Sequence, residues 1–455
     1  MVNKIIKKLE GKKIAILGFG IEGKSTYKFL RKYLKNIDLT IIYKTQDLNL
    51  EQELLKKDQN LNFISGDNYL SFLQNYDMIL KSPGISFKGI DTSNFIDKIT
   101  SQMELFLKST KSYTIGVTGT KGKSTTSSLI YQMLLKQGKN AHLLGNIGTP
   151  IFDEIEDIND TDFVVLEISS HTLEHLKAST NIGIILNIYE EHLDHYESFK
   201  KYAEAKLNLF KYQKENDVAI FNLDNENIIN LKKSFKQNDY AITIESNKNN
   251  LSKNTISLKD GIVLYNEKTI YDTKMDRKLK GNHNINNIMF VLAVNNILNL
   301  DLEKTVEVIN EFNSLEHRLE FVTKIDDIEY YNDSIATIPE ATIESIKALE
   351  KVNTLIVGGN DRGVNLSELI EFLEKSEIEN IICLPKTGEY IAEGLKNTNK
   401  KIINVKDIKE AVKHAKTLTK KGTICLLSPA ASSYGYFKNF IERGNIFKEE
   451  VLKKN

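Results

Sequence analysis

Thr114-Ile115-Gly116-Val117-Thr118-Gly119-Thr120-Lys121-Gly122-Lys123-Ser124-Thr125-Thr126 is the stretch on which the reading of this chain turns. An apolar, β-prone run passes into a turn punctuated by glycines, and the turn opens a helix expected to reach about Gln137. In that order the parts build a phosphate cradle. Glycines let backbone N–H groups approach phosphate oxygens, and the helix start adds positive potential. Lys123 is placed to reach terminal phosphates, and Ser124 or Thr125 to hold Mg²⁺. The spacing is not the strict one for such loops: counting back from Gly122, the first glycine is due where Val117 stands, and Gly116 comes one residue early. The Gly-Lys-Ser-Thr run separates the stretch from an ordinary Gly-rich strand-to-helix turn.

Downstream, Asp162-Phe163-Val164-Val165-Leu166-Glu167-Ile168-Ser169-Ser170 is an apolar run ending in an acid. Its place after the loop suits Glu167 to the Mg²⁺ of a nucleotide. Ala141 to Leu144 reads as a strand leaving into Gly145-Asn146-Ile147-Gly148-Thr149-Pro150. Ile182 to Ile188 reads as another, followed by Glu190-Glu191-His192-Leu193-Asp194-His195, a cluster of candidate ligands. In the helix expected over 198–212, Phe199, Tyr202, Ala203, Leu209 and Phe210 share a face at 3.6 residues per turn. Lys206 falls in the middle of that face. A lysine there costs free energy unless it is paired or modified. Either its ammonium snorkels to water, or the amine is chemically altered or meets an active-site anion. Residues 217–280 read as a β-rich excursion with a hairpin signal at Asp260-Gly261. The asparagines of Gly281-Asn282-His283-Asn284-Ile285-Asn286-Asn287 either cap the following helix or offer amides to a nucleobase.

Upstream, the short strand Lys13-Ile14-Ala15-Ile16-Leu17 leads into Gly18-Phe19-Gly20-Ile21-Glu22-Gly23 and a helix expected from about Lys24 to Tyr33. This is GxGxxG in a strand–turn–helix context. The next strand, Leu39 to Tyr43, lacks the acid that would hold the ribose of NAD, and Asp47 comes late. A nucleotide diphosphate on the helix therefore fits better than NAD. Asp77 to Ile85 reads as a strand ending in a Pro-Gly turn. Beyond about Ser314, strand-like runs at 329–332, 354–357, 381–384, 401–405 and 423–427 alternate with helices, giving a third, mainly parallel α/β unit. Its turns gather functional groups: His317-Arg318, Asn332-Asp333-Ser334, Gly358 to Gly363, and Ser428 to Tyr434. The expected fold is α/β in three domains. These are an N-terminal Rossmann-like domain at 1–104, a central phosphate-loop ATPase-like domain at 105–314 with a parallel sheet plus a small β excursion, and a C-terminal Rossmann-like domain at 315–455.

The bulk composition narrows the function classes. With 61 basic and 61 acidic residues among 455, the chain has no net positive field to recruit nucleic acid or acidic lipid. Two cysteines, Cys383 and Cys425, give no disulfide framework and no metal spacing. No apolar run suits a signal peptide or a bilayer span. The expectation is a cytoplasmic monomer that binds neither nucleic acid nor membrane.

The ordered series resembles the ATP-dependent Mur ligases of peptidoglycan precursor synthesis, specifically the branch that adds D-glutamate. The likeness rests on the phosphate loop, Gly145-Asn146-Ile147-Gly148, Leu166-Glu167-Ile168-Ser169-Ser170, His192-Leu193-Asp194, Ala205-Lys206, His283-Asn284, His317-Arg318, Asn332-Asp333-Ser334, Leu427-Ser428-Pro429 and the closing Phe437 to Gly444. The resemblance implies that ATP phosphorylates the L-alanine carboxylate of UDP-MurNAc-L-Ala, and that the amine of D-glutamate then displaces phosphate. It implies ATP contacts from Gly119, Thr120, Lys121, Gly122, Lys123, Ser124 and Thr125, with Asn284, Arg318 and Asp333. It implies two Mg²⁺ ions held by Ser124, Glu167, His192 and Lys206, the lysine as a carbamate, with Lys123, His192 and Lys206 catalytic. Gly20, Ile21, Glu22, Asn146 and Ser169 would face the UDP-sugar substrate. Thr337, Arg362, Ser433, Tyr434 and Phe440 would line the glutamate pocket. Three positions depart from the pattern. Ile335 and Arg362 stand where lysine is usual, and Tyr434 stands where a smaller apolar residue is usual. They leave open a sister ligase: one adding L-glutamate, another Mur ligase, or a folylpolyglutamate synthase.

Overall fold

Buried on both faces, the run Ile14–Leu17 (β1) forms the centre of the first sheet. Leu39–Tyr43 (β2), Leu61–Ser65 (β3), Met78–Lys81 (β4) and Ile99–Thr100 (β5) complete it in the order β3-β2-β1-β4-β5, all parallel. Near-continuous Ile and Leu runs are what a parallel sheet covered on both faces requires. The structure is a computed structural model. It describes the chain except residues 147–148, 193–194, 233–237, 244–253, 280, 282, 350, 362, 434 and 454–455, and describes 232, 238–243 and 283 by backbone alone. Among the described residues no helix is long and apolar enough to cross a membrane.

The second sheet is built on Tyr113–Thr118 (β6), with Ala141–Gly145 (β7), Phe163–Glu167 (β8), Ile182–Ile185 (β9), Val218–Asn222 (β10), Asn238–Thr243 (β11), Asn254–Lys259 (β12), Ile262–Tyr265 (β13) and Lys268–Asp272 (β14). Its order is β14-β13-β12-β11-β10-β9-β6-β8-β7. Strands β7 to β12 run parallel with β6, and the last two turn back antiparallel. The expected hairpin closes at Asp260-Gly261, where Lys259 pairs with Ile262. The β-rich excursion continues the central sheet edge to edge rather than standing apart from it. Both sheets belong to one compact unit, residues 1–275 with 286–308. An apolar core running from Ile5 to Ile228 joins them, with Phe29 stacked on Phe152 at 4.1 Å between ring centres.

The second unit comprises residues 276–285 and 309–455, so it is discontinuous in sequence. Its sheet contains Glu320–Ile325 (β15), Ile328–Asn332 (β16), Val352–Gly359 (β17), Asn380–Lys386 (β18), Lys401–Asn404 (β19) and Ile424–Leu427 (β20), in the order β15-β16-β20-β17-β18-β19. All neighbours are parallel except the edge pair β15–β16. Sequence reading finds every one of these strands but β15. Its Glu320-Phe321-Val322-Thr323-Lys324-Ile325 is only half covered, as an edge strand is, so it lacks the apolar run that marks the others.

Candidate active site

The turn expected to cradle phosphate follows β6, which hands the chain to a helix at the point where the strand order reverses around it. Gly119 and Gly122 hold φ angles of +156° and +88° before the helix Lys123–Lys136. A Cβ at Gly119 would stand 2.9 Å from Leu186 Cβ, and one at Gly122 2.5 Å from Asn287 Oδ1, so neither position admits a side chain. Lys123 folds back, its Nζ donating to the carbonyls of Gly119 and Thr120 at 2.9 Å each. Ser124 is half-buried in the first turn of the helix and Thr125 is buried.

Two residues whose bracing roles sequence reading did not find fix this loop. The Asn187 carboxamide accepts from Lys121 N at 2.8 Å and donates to Lys121 O at 3.0 Å, while its backbone carbonyl accepts from Thr120 N at 3.0 Å. Tyr202 Oη lies 2.8 Å from Thr120 Oγ1, tying the loop to the helix Phe199–Lys211. Neither role has a local sequence signal, because each is a contact between segments distant in the chain.

Lys206 is where the helical periodicity puts it: 2 % exposed, on the buried face, with Nζ donating to Gly119 O at 3.0 Å. Burial, reinforced by the nearby Lys123, lowers its pKa to about 7, against a smaller opposing pull from Glu191. The ammonium also lies 4.7 Å from the centre of the Tyr202 ring. Its snorkelling alternative is excluded.

Glu167 ends β8 directly across from Val117 of β6. Its Oε1 accepts from Asn146 Nδ2 at 3.0 Å, and its Oε2 is buried without a hydrogen-bond partner. An orphaned carboxylate oxygen beside a phosphate loop is the kind of atom that a hard cation satisfies. His192 holds φ +61° and is 39 % exposed, 3.5 Å from Glu191 and 4.6 Å ring to ring from His171. His195, from the same sequence cluster, is spent on Glu174 at 3.0 Å. Among the described residues no three His, Cys, Asp or Glu side chains converge as a metal cage, and no hydrogen bond or ion pair joins any two of Ser124, Glu167, His192 and Lys206. A nucleotide-bound Mg²⁺ does not need such a cage, because phosphate oxygens and water supply most of its shell. The donor types present, a hydroxyl and a free carboxylate oxygen, fit it.

At the first sheet the order reverses between β1 and β4. Ser82 Oγ donates to Gly18 O at 3.2 Å across that crevice. The helix starts at Ile21, earlier than expected, with Gly20 as its extended N-cap. A Cβ on Gly23 would stand 2.1 Å from Gly18 O, so the third glycine of GxGxxG serves close packing. Ile21 is 81 % exposed. Glu22 is desolvated to a pKa of about 7, offset in part by Lys81, which burial lowers to about 8. Asp47 caps the helix Leu48–Leu55, its Oδ1 accepting from Leu50 N at 3.1 Å. Ser169 likewise caps the short helix Ser170–Leu173, accepting from Thr172 N at 3.2 Å.

In the second unit the loops after β16, β17 and β20 lie at the carboxyl edge of the sheet. Asp333 is fully buried. Its Oδ1 accepts from Leu319 N at 3.1 Å and its Oδ2 from Ser345 and Ser428 hydroxyls at 2.6 and 2.9 Å, while desolvation raises its pKa to about 6. Those bonds hold the loop of Arg318, itself half-buried. Arg443, 0 % exposed, donates to Ser334 Oγ, Ser334 O and Ala431 O at 3.0, 2.7 and 3.0 Å. Ser334 Oγ in turn donates to Phe440 O at 2.8 Å. One guanidinium thus links the segments carrying Asp333, Ser433 and Phe440. Thr337 is half-buried, Ser433 buried, and Asn284 buried in the first turn of the helix His283–Ile297. Arg362 and Tyr434 lie outside the described residues, as do Ile147, Gly148, Leu193, Asp194 and Asn282.

The glycine-rich turn after β6 with a buried lysine against it suits a nucleotide-using enzyme, and comparison with known proteins gives the class, an ATP-dependent ligase. Residues 117–295 match the Mur ligase middle domain and 317–431 the Mur ligase glutamate ligase domain. The chain belongs to the Mur ligase family. It is 35 % identical to a UDP-N-acetylmuramoylalanine–D-glutamate ligase of Clostridium kluyveri, over 97 % of this chain and 96 % of that protein. It is 34 % identical to the ligase of the same name from Clostridium botulinum, over 97 % and 96 %. The counterpart from Ruminiclostridium cellulolyticum is 32 % identical over 98 % and 97 %. Among solved structures, the UDP-N-acetylmuramate-alanine ligase MurC of Thermotoga maritima superposes with TM-score 0.60 at 18 % identity, covering 96 % of this chain and 98 % of that one. The MurF ligase of Thermotoga maritima in complex with ADP gives 0.56 at 18 % identity, over 96 % and 94 %. These two likenesses concern the fold.

Proposed function

We propose that this chain joins D-glutamate to UDP-N-acetylmuramoyl-L-alanine at the expense of ATP, in the synthesis of peptidoglycan precursors. The observation that carries the reading is the uncharged-prone amine of Lys206 buried on the Gly119 carbonyl of the phosphate loop. The full-length likeness to D-glutamate ligases supports the choice of amino acid over an L-glutamate-adding, other Mur or folylpolyglutamate alternative.

In the first step a carboxylate oxygen of the L-alanine bonds to the γ-phosphorus as its bond to ADP breaks. In the second the glutamate nitrogen bonds to the acyl carbon, loses a proton, and phosphate leaves with the former carboxylate oxygen. Such phosphoryl transfer depends on alignment and charge neutralisation more than on a protein nucleophile. Loop amides from Gly119 to Lys123 seat the phosphates, and Lys123 turns from its carbonyl partners to the terminal ones. Mg²⁺ held by Ser124 and Glu167, with His192 and Lys206 as further ligands, would neutralise the charge that builds on the transferred group. Lys206 suits this role as a carbamate, formed when its neutral amine adds CO₂ and releases a proton, which converts a donor into an anionic oxygen ligand. Asn146, bonded to Glu167, and the Gly20–Glu22 turn face the UDP-sugar. Thr337, Arg362, Ser433, Tyr434 and Phe440 receive the amino acid.

Phosphate release measured with UDP-MurNAc-L-Ala, ATP and each glutamate enantiomer tests the reading. D-glutamate is expected to drive turnover and L-glutamate not. Turnover with neither enantiomer would end the assignment.

A further inference from the structure

We propose that Lys386 is a specificity-determining cation for the amino-acid substrate, taking one of the two carboxylates of a dicarboxylic amino acid. The inference rests on the ligase reading above and adds a residue to its pocket. Lys386 ends β18, the strand beside β17, at the carboxyl edge where ligands collect in such sheets. Its backbone holds φ +59° and ψ −98°, a strained conformation for a residue with a side chain, and such strain concentrates at functional sites. The consequence is directional. The ammonium reaches across to Asn360 Oδ1 at 2.9 Å and lies 5.5 Å from the centre of the Tyr436 ring. Asn360 N in turn donates to Ser432 O at 2.8 Å. Lys386 is therefore fastened to the turn after β17 through Asn360 and to the loop of Ser432 and Ser433, which follows β20.

The charge inventory points the same way. A glutamate brings two carboxylates, so its pocket needs more than one set of cationic or N–H donors. Arg443 touches the same loops, but its guanidinium is buried and spent on Ser334 and Ala431. Lys386 is exposed, and among the described residues no carboxylate pairs with it. Among the described residues its side-chain partners are a neutral amide oxygen and a ring face, both of which a substrate carboxylate can outcompete as the closer-matched partner.

The test is kcat/KM for D-glutamate, D-glutamine and D-isoglutamine in the unaltered enzyme, Lys386→Met and Lys386→Arg. Losing one charge-assisted bond is expected to cost Lys386→Met about 10–100-fold on D-glutamate. The loss should shrink to within about threefold on whichever amide lacks the carboxylate that Lys386 holds. Lys386→Arg should keep most of the discrimination, and KM for ATP should stay unchanged. An equal loss on all three amino acids, or none on D-glutamate, would overturn the assignment while leaving the ligase reading intact. Absence of turnover in the unaltered enzyme would remove both.

Discussion

Lys206 and Asp333 are ionisable groups held away from water, one in each compact unit, and each carries a measurable signature. Removing the Lys206 side chain takes away a group seated on the phosphate loop. Lys206→Ala is expected to lower ligation by about a hundredfold or more, in line with the loss of a metal-shell or transition-state contact. If a carbamate is the working form, acetate should restore part of that activity, as read by phosphate release. Asp333 has its folded-state pKa raised from 3.8 to about 6. Its folded form keeps a proton that the unfolded chain gives up, so stability falls as pH rises from about 4 through about 6. A shift of two units corresponds to about 3 kcal/mol. Relative to the unaltered chain, Asp333→Asn should therefore gain up to about that much stability between pH 4 and pH 7, by chemical denaturation. Lys206 is legible in the sequence because 3.6-residue spacing exposes a charge on an apolar face. The internal bonding of Asp333 is not, because Ser345 and Ser428 come to it from remote segments.

Elements, rather than single residues, decide how well the phosphate loop keeps its shape. The loop is braced by the segment after β9, through Asn187, and by the helix Phe199–Lys211, through Tyr202. Asn187→Ala deletes two side-chain bonds to Lys121 while leaving the backbone bond to Thr120. The expected result is a rise of about tenfold in KM for ATP with KM for the amino acid unchanged. A uniform loss across all substrates would assign Asn187 to general stability instead. Local pattern reveals the parts that obey a period or a turn rule: the GxGxxG strand–turn–helix, the Asp260-Gly261 hairpin, β1, β2 and β4 of the first sheet, β6 to β9 of the second and β16 to β20 of the third, while the short β3 and β5 go unnamed in it. It does not reveal β15 or the bracing of the loop, since one is a half-covered edge and the other a tertiary contact.

Across the whole molecule, each unit has a core of its own. One spans both sheets of the first unit, and others flank the third sheet. Nucleotide seated on the phosphate loop should therefore stabilise the first unit directly. Mg-ATP at a hundred times its dissociation constant is worth about 2.7 kcal/mol, enough to raise the melting temperature of that unit by a few degrees. Hydrogen exchange should slow most in residues 113–126 and 182–211. Protection confined to residues 309–455 would place the nucleotide elsewhere.

The broken numbering of the second unit also bears on how the chain is made. Everything the first unit needs has left the ribosome once residue 308 is free, so its two sheets can close while translation continues. The ten residues at 276–285 belong with partners that are still unsynthesised. At elongation rates of about 5–20 residues per second, the rest of the chain takes on the order of ten seconds to emerge. During that interval these ten residues form a loop that leaves the first unit and rejoins it, and a nascent chain halted there would already hold the glycine-rich turn after β6.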